Sequence, residues 1–107
     1  MLEKLIEIVG ASHVLTGEQA QPYLVDWRGR YKGAARAVVR PGTTEEVAAV
    51  VKCCVAHHVP IVTVGGNTGL CGGATPDDSG TAVVLATSRL NRIRAIDTDN
   101  DTMTVEA

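Results

Sequence analysis

Glycines are concentrated in residues 64–73, which we call the glycine loop. Five of them, Gly65, Gly66, Gly69, Gly72 and Gly73, fall within nine residues. Glycine lets the backbone adopt a positive φ and approach a ligand with no Cβ in the way. Consecutive amides can then point at one anion, an arrangement that binds phosphate without a lysine. Because no Lys or Arg occurs between Val64 and Asp77, the sequence predicts an anion site built from backbone N–H groups.

The spacing of these glycines differs from the two commonest phosphate-binding motifs. It is Gly-Gly-x-x-Gly-x-x-Gly-Gly, so it contains neither Gly-x-Gly-x-x-Gly nor Gly-Lys-Ser/Thr. Asn67 and Thr68 add polar side chains that can bond a phosphate or a ribose. A turn without a ligand is the alternative. Each glycine costs on the order of 0.5–1 kcal/mol in chain entropy, which argues against five of them in a mere turn.

Two side-chain clusters have spacings that could hold a metal. Residues 53–58 contain two interleaved i,i+4 Cys/His pairs, but a closed zinc site needs four ligands and His13 is the only other histidine. Asp97, Asp99 and Asp101 imitate the start of a calcium loop, yet Thr102 stands where that loop requires glycine. We therefore predict no metal site. Instead, we expect Cys54 in the core, Cys53 with both histidines at a helix end, and an acidic hairpin turn.

Composition excludes several classes of protein. The chain has 107 residues, of which 45% are hydrophobic and 21% charged, as in a soluble globular domain. A formal charge of −2 gives no basic field for nucleic acid. Residues 1–7 are charged and lack a long apolar run, so we expect neither a signal peptide nor a membrane span. The default location is the cytoplasm, where the three cysteines would be reduced thiols.

The first third of the chain combines a helix with an irregular segment. Leu2, Leu5, Ile6 and Val9 recur at helical spacing and Gly10 follows, which predicts a short amphipathic helix. Residues 11–33, which we call the arm, are broken by Gly and Pro. Residues 27–31, Trp-Arg-Gly-Arg-Tyr, hold the only concentration of aromatic side chains. They could contact a bound ligand, or merely anchor the arm.

The pattern after the arm predicts a strand, a helix and a strand. Residues 37–40 form a short strand, and residues 43–46, Thr-Thr-Glu-Glu, carry the signature of a capping box. The helix should run to about His58, with an apolar face that comprises Val47, Val50, Val51, Cys54 and Val55. Pro60 prevents its continuation, and residues 61–64 are β-branched throughout. A connection through a helix implies parallel strands and a right-handed crossover.

Further strands complete a predicted α+β fold. Residues 81–86 form a third strand, and residues 93–97 and 103–106 flank a polar turn as an antiparallel hairpin. We assign residues 1–33 to the N-terminal helix and arm, and residues 34–107 to the first portion of a ligand-binding domain. Because Ala107 stands inside a predicted strand, we expect a truncated domain.

The glycine loop and its flanks also resemble a known family. Residues 59–74 are similar to the phosphate-binding loop of FAD-binding domains of the vanillyl-alcohol oxidase and para-cresol methylhydroxylase type. Residues 27–31, 40–47 and 88–93 match as well, so the resemblance spans nearly the whole chain. It is greatest to the D-2-hydroxy-acid dehydrogenases, which act on D-lactate, D-2-hydroxyglutarate or glycolate.

The resemblance implies the identity of the cofactor and of the residues that bind it. The implied cofactor-binding residues are Val64, Gly65, Gly66, Asn67, Thr68, Gly69, Leu70, Gly72 and Gly73. Relatives that attach flavin covalently through this loop carry histidine where this chain has Asn67, so the resemblance implies non-covalent FAD. Val64 stands where relatives often have arginine, which should weaken the binding of phosphate.

The implied reaction is hydride transfer from C2 of a 2-hydroxy acid to FAD, in which the protein supplies position and electrostatics. The family's substrate domain and catalytic residues would lie beyond Ala107. We therefore assign no catalytic residue and expect the 107-residue piece alone to be inactive. The resemblance leaves the electron acceptor unidentified and is compatible with a homodimer. The alternative is a non-catalytic module that binds an anion or a nucleotide.

Overall fold

The computed structural model describes all residues from Met1 to Ala107. Its first helix, α1, spans Leu2–Val9 and buries Leu5 and Val9 completely or nearly so. Gly10 follows at φ 90° and donates its amide to the carbonyl of Ile6, which ends the helix. The predicted amphipathic helix is thus confirmed.

The arm contains more regular structure than its sequence predicts. Two 3₁₀ helices, Ala11–His13 and Gly17–Tyr23, flank a two-residue strand, β1 (Val14–Leu15). Strand β1 pairs antiparallel with β2 (Ala37–Val39). No local pattern could predict β1, because its only support is a partner more than 20 residues away.

Helix α2 spans Thr44–Ala56, and its N-terminus follows the predicted capping pattern. The Thr43 hydroxyl accepts a hydrogen bond from the amide of Glu46 at 3.1 Å. The Glu46 carboxylate accepts from the amide of Gly42 at 2.6 Å, one residue earlier than a capping box requires. The helix ends two residues before the predicted His58, which itself has φ 54°.

The buried face of α2 is rotated from the predicted one. Val50, Cys53 and Cys54 are buried, whereas Val51 and Val55 are 37% and 66% exposed. The prediction that Val51 and Val55 lie on the buried face was therefore wrong. Cys53 lies in the last turn of the helix, as predicted, and is buried there. Nine of the 13 residues of α2 are apolar, so periodicity alone does not select which stripe meets α1 and the sheet.

The central sheet has the strand order β1-β2-β4-β3, where β3 spans Ile61–Val64 and β4 spans Val83–Ala86. Strands β2 and β3 are parallel, as predicted, but each is bonded to β4 and not to the other. Alternate side chains of the sheet point to opposite faces. Val39, Val83 and Leu85 pack with α1 and α2, while Val38, Val84 and Val64 pack with Leu15, Ala20 and Leu24 of the arm.

The remaining strands, β5 (Ile93–Asp97) and β6 (Thr102–Val105), form a separate antiparallel hairpin. Every residue of both strands is exposed. The hairpin lies at the predicted place, which confirms the predicted α+β order of helix, parallel unit and antiparallel hairpin. None of the helices has the length and apolar character needed to cross a bilayer.

Candidate anion-binding site

The glycine loop starts from a fixed base at one edge of the sheet. Strands β3 and β4 are parallel and end side by side, with Val64 opposite Ala86. The Val64 side chain is 1% exposed and packs beneath the sheet, while its carbonyl accepts the Thr87 amide at 3.0 Å. The loop therefore leaves the carboxyl end of a parallel strand, the edge at which open α/β sheets bind ligands.

The amides of the glycine loop are available to a ligand. From Gly65 to Ala74, no backbone N–H donates a hydrogen bond within the chain, and Thr75 is the first residue to do so, to the Gly72 carbonyl at 3.2 Å. Backbone N–H groups that become buried nearly always find an acceptor, so a ligand that covers these amides would have to accept from them. A run of free donors beside the end of a strand is thus a site that an anion could fill.

The five glycines serve two different purposes. A Cβ added to Gly66, Gly69 or Gly73 would meet nothing within 4 Å, so these backbones face open space. Only Gly72 adopts a left-handed conformation, at φ 79°, and an added Cβ would lie 3.2 Å from the Tyr31 ring. The open space at the first three would admit a ligand close to the backbone, whereas Gly72 is favoured by its backbone conformation.

Each end of the glycine loop borders a cavity. The first cavity has a volume of about 360 Å³, and the residues that line it include Gly65, Gly66, Thr87, Ser88 and Asn91. The second has a volume of about 380 Å³, and its lining includes Tyr31, Lys32, Gly72, Asp77 and Asp78. Sequence reasoning assigned no role in the site to Thr87, Ser88 or Asn91. Tyr31 belongs to residues 27–31, for which it left open a contact with the ligand or an anchoring of the arm. Ser88 and Asn91 lie within residues 88–93, a stretch that resembles the FAD-binding family, and this resemblance was the available signal for them. No such signal pointed to Thr87.

Electrostatics favour an anion at the first of these two ends. Hydrogen bonds from the Ser79 hydroxyl and amide lower the pKa of Asp77, which keeps its carboxylate charged at neutral pH. Asp78 lies in the same cavity. These two carboxylates outnumber Lys32 and would repel a phosphate there. The one acidic side chain in the lining of the first cavity, Glu106, is paired with Arg92 and Arg94.

Arg89 fixes the wall that faces Gly65 and Gly66. Its guanidinium donates to the Arg40 carbonyl at 2.8 Å and lies 3.6 Å from the Glu46 carboxylate. A Cβ on Gly42 would approach this guanidinium to 2.6 Å, which explains the glycine there. The turn after β4, which carries Thr87 and Ser88, is thereby tied to the N-terminus of α2.

The predicted polar residues of the loop differ in their surroundings. Asn67 has φ 56° and donates its side-chain amide to the Val25 carbonyl of the arm at 2.8 Å. Thr68 is exposed and Leu70 is 48% exposed, so both side chains are open to a ligand. The structure thus brings the predicted residues together in one loop, except that the Val64 side chain faces the core.

The two alternative metal clusters have local partners of their own. The His57 ring lies 2.9 Å from the Cys53 carbonyl, and burial raises the pKa of the Cys54 thiol. The Asp97 carboxylate accepts hydrogen bonds from Asn100 and from the amide of Asp99, which lower its pKa. Nowhere do three His, Cys, Asp or Glu side chains lie close enough to hold a metal ion.

Known proteins resemble this chain in sequence and in fold. The glycolate oxidase subunit GlcD of Bacillus subtilis is 34% identical over 97% of this chain and 22% of its own length. The quinone-dependent D-lactate dehydrogenase of Haemophilus influenzae is 37% identical over 90% of this chain and 18% of its own length. The chain thus spans about a fifth of the length of these curated relatives.

A solved structure of p-cresol methylhydroxylase with substrate bound superimposes with a TM-score of 0.68 and 30% identity, over 90% of this chain and 19% of that one. The family model described as an FAD binding domain matches residues 35–107, which contain β2, the glycine loop and the hairpin. With this match and the free amides of the loop, the chain belongs to the family of FAD binding domains.

Proposed function

We propose that this chain forms the pyrophosphate-binding part of a flavin-dependent oxidoreductase that oxidises a 2-hydroxy acid of the D-lactate, D-2-hydroxyglutarate or glycolate class. The family match supports FAD as the cofactor. The names of the relatives, a glycolate oxidase subunit and a D-lactate dehydrogenase, support the substrate class. The whole protein's activity is part of this proposal.

The observation that carries the proposal is the run of free amides from Gly65 to Ala74 at the carboxyl end of β3. These donors fit a pyrophosphate, because they can neutralise it by dipoles where no cationic side chain is present. The open space over Gly66, Gly69 and Gly73 lets the backbone reach it. FAD, when bound, supplies the hydride acceptor.

The chain's own residues would bind and orient that cofactor. The proposed contacts are the amides of Gly65, Gly66, Thr68, Gly69, Gly72 and Gly73, the hydroxyl of Thr68 and the side chain of Leu70. Val64 would act from below, by anchoring the start of the loop through its buried side chain and its bond to Thr87.

We propose that FAD is held without a covalent bond. Covalent attachment at this position of the loop needs a nucleophilic side chain, and Asn67 offers an amide that is not one. Its nitrogen also donates to Val25 at 2.8 Å. Precipitation of the full-length gene product with acid should release all of the flavin into the supernatant, and flavin retained in the pellet would contradict the proposal.

Absorbance tests the function directly. The purified full-length product should show oxidised flavin bands between about 350 and 500 nm, and these should bleach when D-lactate, glycolate or D-2-hydroxyglutarate is added without oxygen. The corresponding L-hydroxy acid is the control for the first and third. A protein that takes up no FAD would overturn the proposal. A protein that binds FAD but is bleached by no hydroxy acid would favour the non-catalytic nucleotide-binding module.

Two finer expectations accompany this function. The three free cysteines support a reducing compartment, for which we propose the cytoplasm. We also propose a homodimer, on the family resemblance alone. Cell fractionation and sedimentation equilibrium of the full-length product test the two expectations.

A further inference from the structure

Residues 25–33 of the arm, which we call the arm turn, form a closed unit of their own. Val25 and Lys32 form an isolated antiparallel bridge. Within it, Asp26 and Tyr31 share two bonds: the Asp26 amide donates to the Tyr31 carbonyl at 3.0 Å, and the Tyr31 amide donates to the Asp26 carboxylate at 2.9 Å. Asp26 is only 4% exposed. The arm turn is thus held by its own hydrogen bonds.

The arm turn contacts the glycine loop and its exit at three successive points. At the start, the Asn67 side-chain amide donates to the Val25 carbonyl at 2.8 Å. In the middle, the Tyr31 ring packs against Gly72, so closely that a Cβ added to this glycine would lie 3.2 Å from the ring. At the exit, Gly33 packs so closely on the Pro76 carbonyl that no Cβ would fit, and the adjacent Ala34 amide donates to the Asp77 carbonyl at 2.8 Å.

The glycine loop has little structure of its own to fix its shape. No backbone hydrogen bond joins two of its residues, and the Gly72 carbonyl accepts from the Thr75 amide just beyond it. Glycine loses more conformational freedom on folding than any other residue, so a loop with five of them must be ordered from outside. Asn67 also adopts a positive φ, a conformation that is uncommon for residues other than glycine.

We propose that the arm turn positions the glycine loop for its anion, and that Asn67 is a positioning residue rather than a phosphate ligand. This inference rests on the proposed function, since the anion is taken to be the FAD pyrophosphate. It assigns residues 25–33 to the cofactor site although they precede the matched FAD binding domain, which begins at residue 35. Tyr31 and Asn67 then act on one property, the shape of the loop.

A double-mutant cycle in the full-length apoprotein tests this proposal. Asn67→Gly removes the bond to Val25 but keeps a residue that tolerates positive φ, and Tyr31→Ala removes the ring from Gly72. Each should raise the Kd for FAD about three- to tenfold. The fold-increase in Kd for the double variant should be smaller than the product of the two single increases, because both substitutions loosen the same loop. Tyr31→Phe is the matched control, since the hydroxyl has no partner, and should bind FAD within about twofold of the unchanged protein.

Amide exchange without FAD supplies a second readout. The Ala34 amide donates to the Asp77 carbonyl across the contact between the arm turn and the exit of the loop. Asn67→Gly and Tyr31→Ala should each speed the exchange of this amide. If Asn67 were only a phosphate ligand, its substitution would leave this exchange unchanged in the absence of FAD. Weaker binding by Asn67→Gly with normal binding by Tyr31→Ala and unchanged exchange at Ala34 would overturn the inference. Equal FAD binding by all variants would also overturn it, whereas failure of the unchanged protein to bind FAD would overturn the proposed function as well.

Discussion

Gly69 and Gly72 stand three residues apart in the glycine loop, yet only Gly72 adopts a backbone conformation that favours glycine. The backbone of Gly69 is outside the left-handed region and faces open space. Gly72 has φ 79° and touches the Tyr31 ring. The sequence predicts the anion loop from glycine density but does not separate these two roles, because the difference depends on a ring 41 residues earlier in the chain.

The two glycines should therefore respond differently to the same substitution. Gly69→Ala should leave the free energy of unfolding of the apoprotein unchanged or slightly higher, because alanine restricts the unfolded chain, while FAD binding weakens about tenfold or more. Gly72→Ala should lower the free energy of unfolding by about 1–2 kcal/mol, since alanine disfavours positive φ. Urea titration and FAD titration of the full-length product measure both. Normal FAD affinity in Gly69→Ala would refute the role given to that open space.

Among the elements, those with strong local signals are predicted best. Strand β3 has the predicted bounds, because Pro60 and four β-branched residues define it. The start of α2 follows from Thr43 and Glu46, whose bonds are local. The buried face of α2 and the existence of β1 depend on contacts with distant segments, and there the sequence was misleading or silent. The Asn67–Val25 bond escaped prediction for the same reason.

One carboxylate, that of Glu106, helps to hold the two strands of the hairpin together. The Glu106 side chain is 5% exposed and accepts from Arg92 at 3.0 Å and Arg94 at 3.4 Å. These bonds, those from Arg92 first, lower the pKa of Glu106. A lowered folded pKa means that Glu106 stabilises the fold above its unfolded pKa and that this contribution is lost as the pH falls through the folded value.

Acid should therefore loosen the hairpin only at a pH below the ordinary pKa of glutamate. We expect the chemical shifts of β5 and β6 to change there before those of the central sheet. In Glu106→Gln this step should disappear around Arg92 and Arg94, because glutamine does not titrate, while the step at the hairpin turn, where Asp97 also has a lowered pKa, should remain. An acid transition around Arg92 and Arg94 that persists in Glu106→Gln would contradict the assignment.

At the scale of the whole molecule, the chain carries two bodies of unequal burial. The central sheet is covered by helices on one face and by the arm on the other. The hairpin is exposed throughout and carries Ile93, Ile96, Met103 and Val105, each more than half exposed. The sequence predicted both bodies, but not the unpaired apolar surface of the second, since alternation in a short strand does not show which face is covered.

The 107-residue chain alone should consequently self-associate through this surface. Ile96 and Met103 are cross-strand partners, 64% and 56% exposed, and form a contiguous apolar pair. The double substitution Ile96→Thr and Met103→Thr should reduce both the sedimentation coefficient at high concentration and the binding of an apolar dye. Thr104→Ser on the same strand is the control and should change neither. Equal association of all three chains would place the contact elsewhere.

The position of β4 between β2 and β3 also governs the order in which the domain can form. Strands β2 and β3 are joined by α2 but form no hydrogen bonds with each other, so folding of this strand-helix-strand unit alone does not produce a parallel pair. Neither strand can form its parallel ladder before β4, residues 83–86, which is the last of the four strands to be synthesised. Because non-local pairing must overcome loop-closure entropy before it is rewarded, β4 is where folding of the sheet should be limited. The base of the glycine loop, Val64 against Ala86, is then completed in the same step.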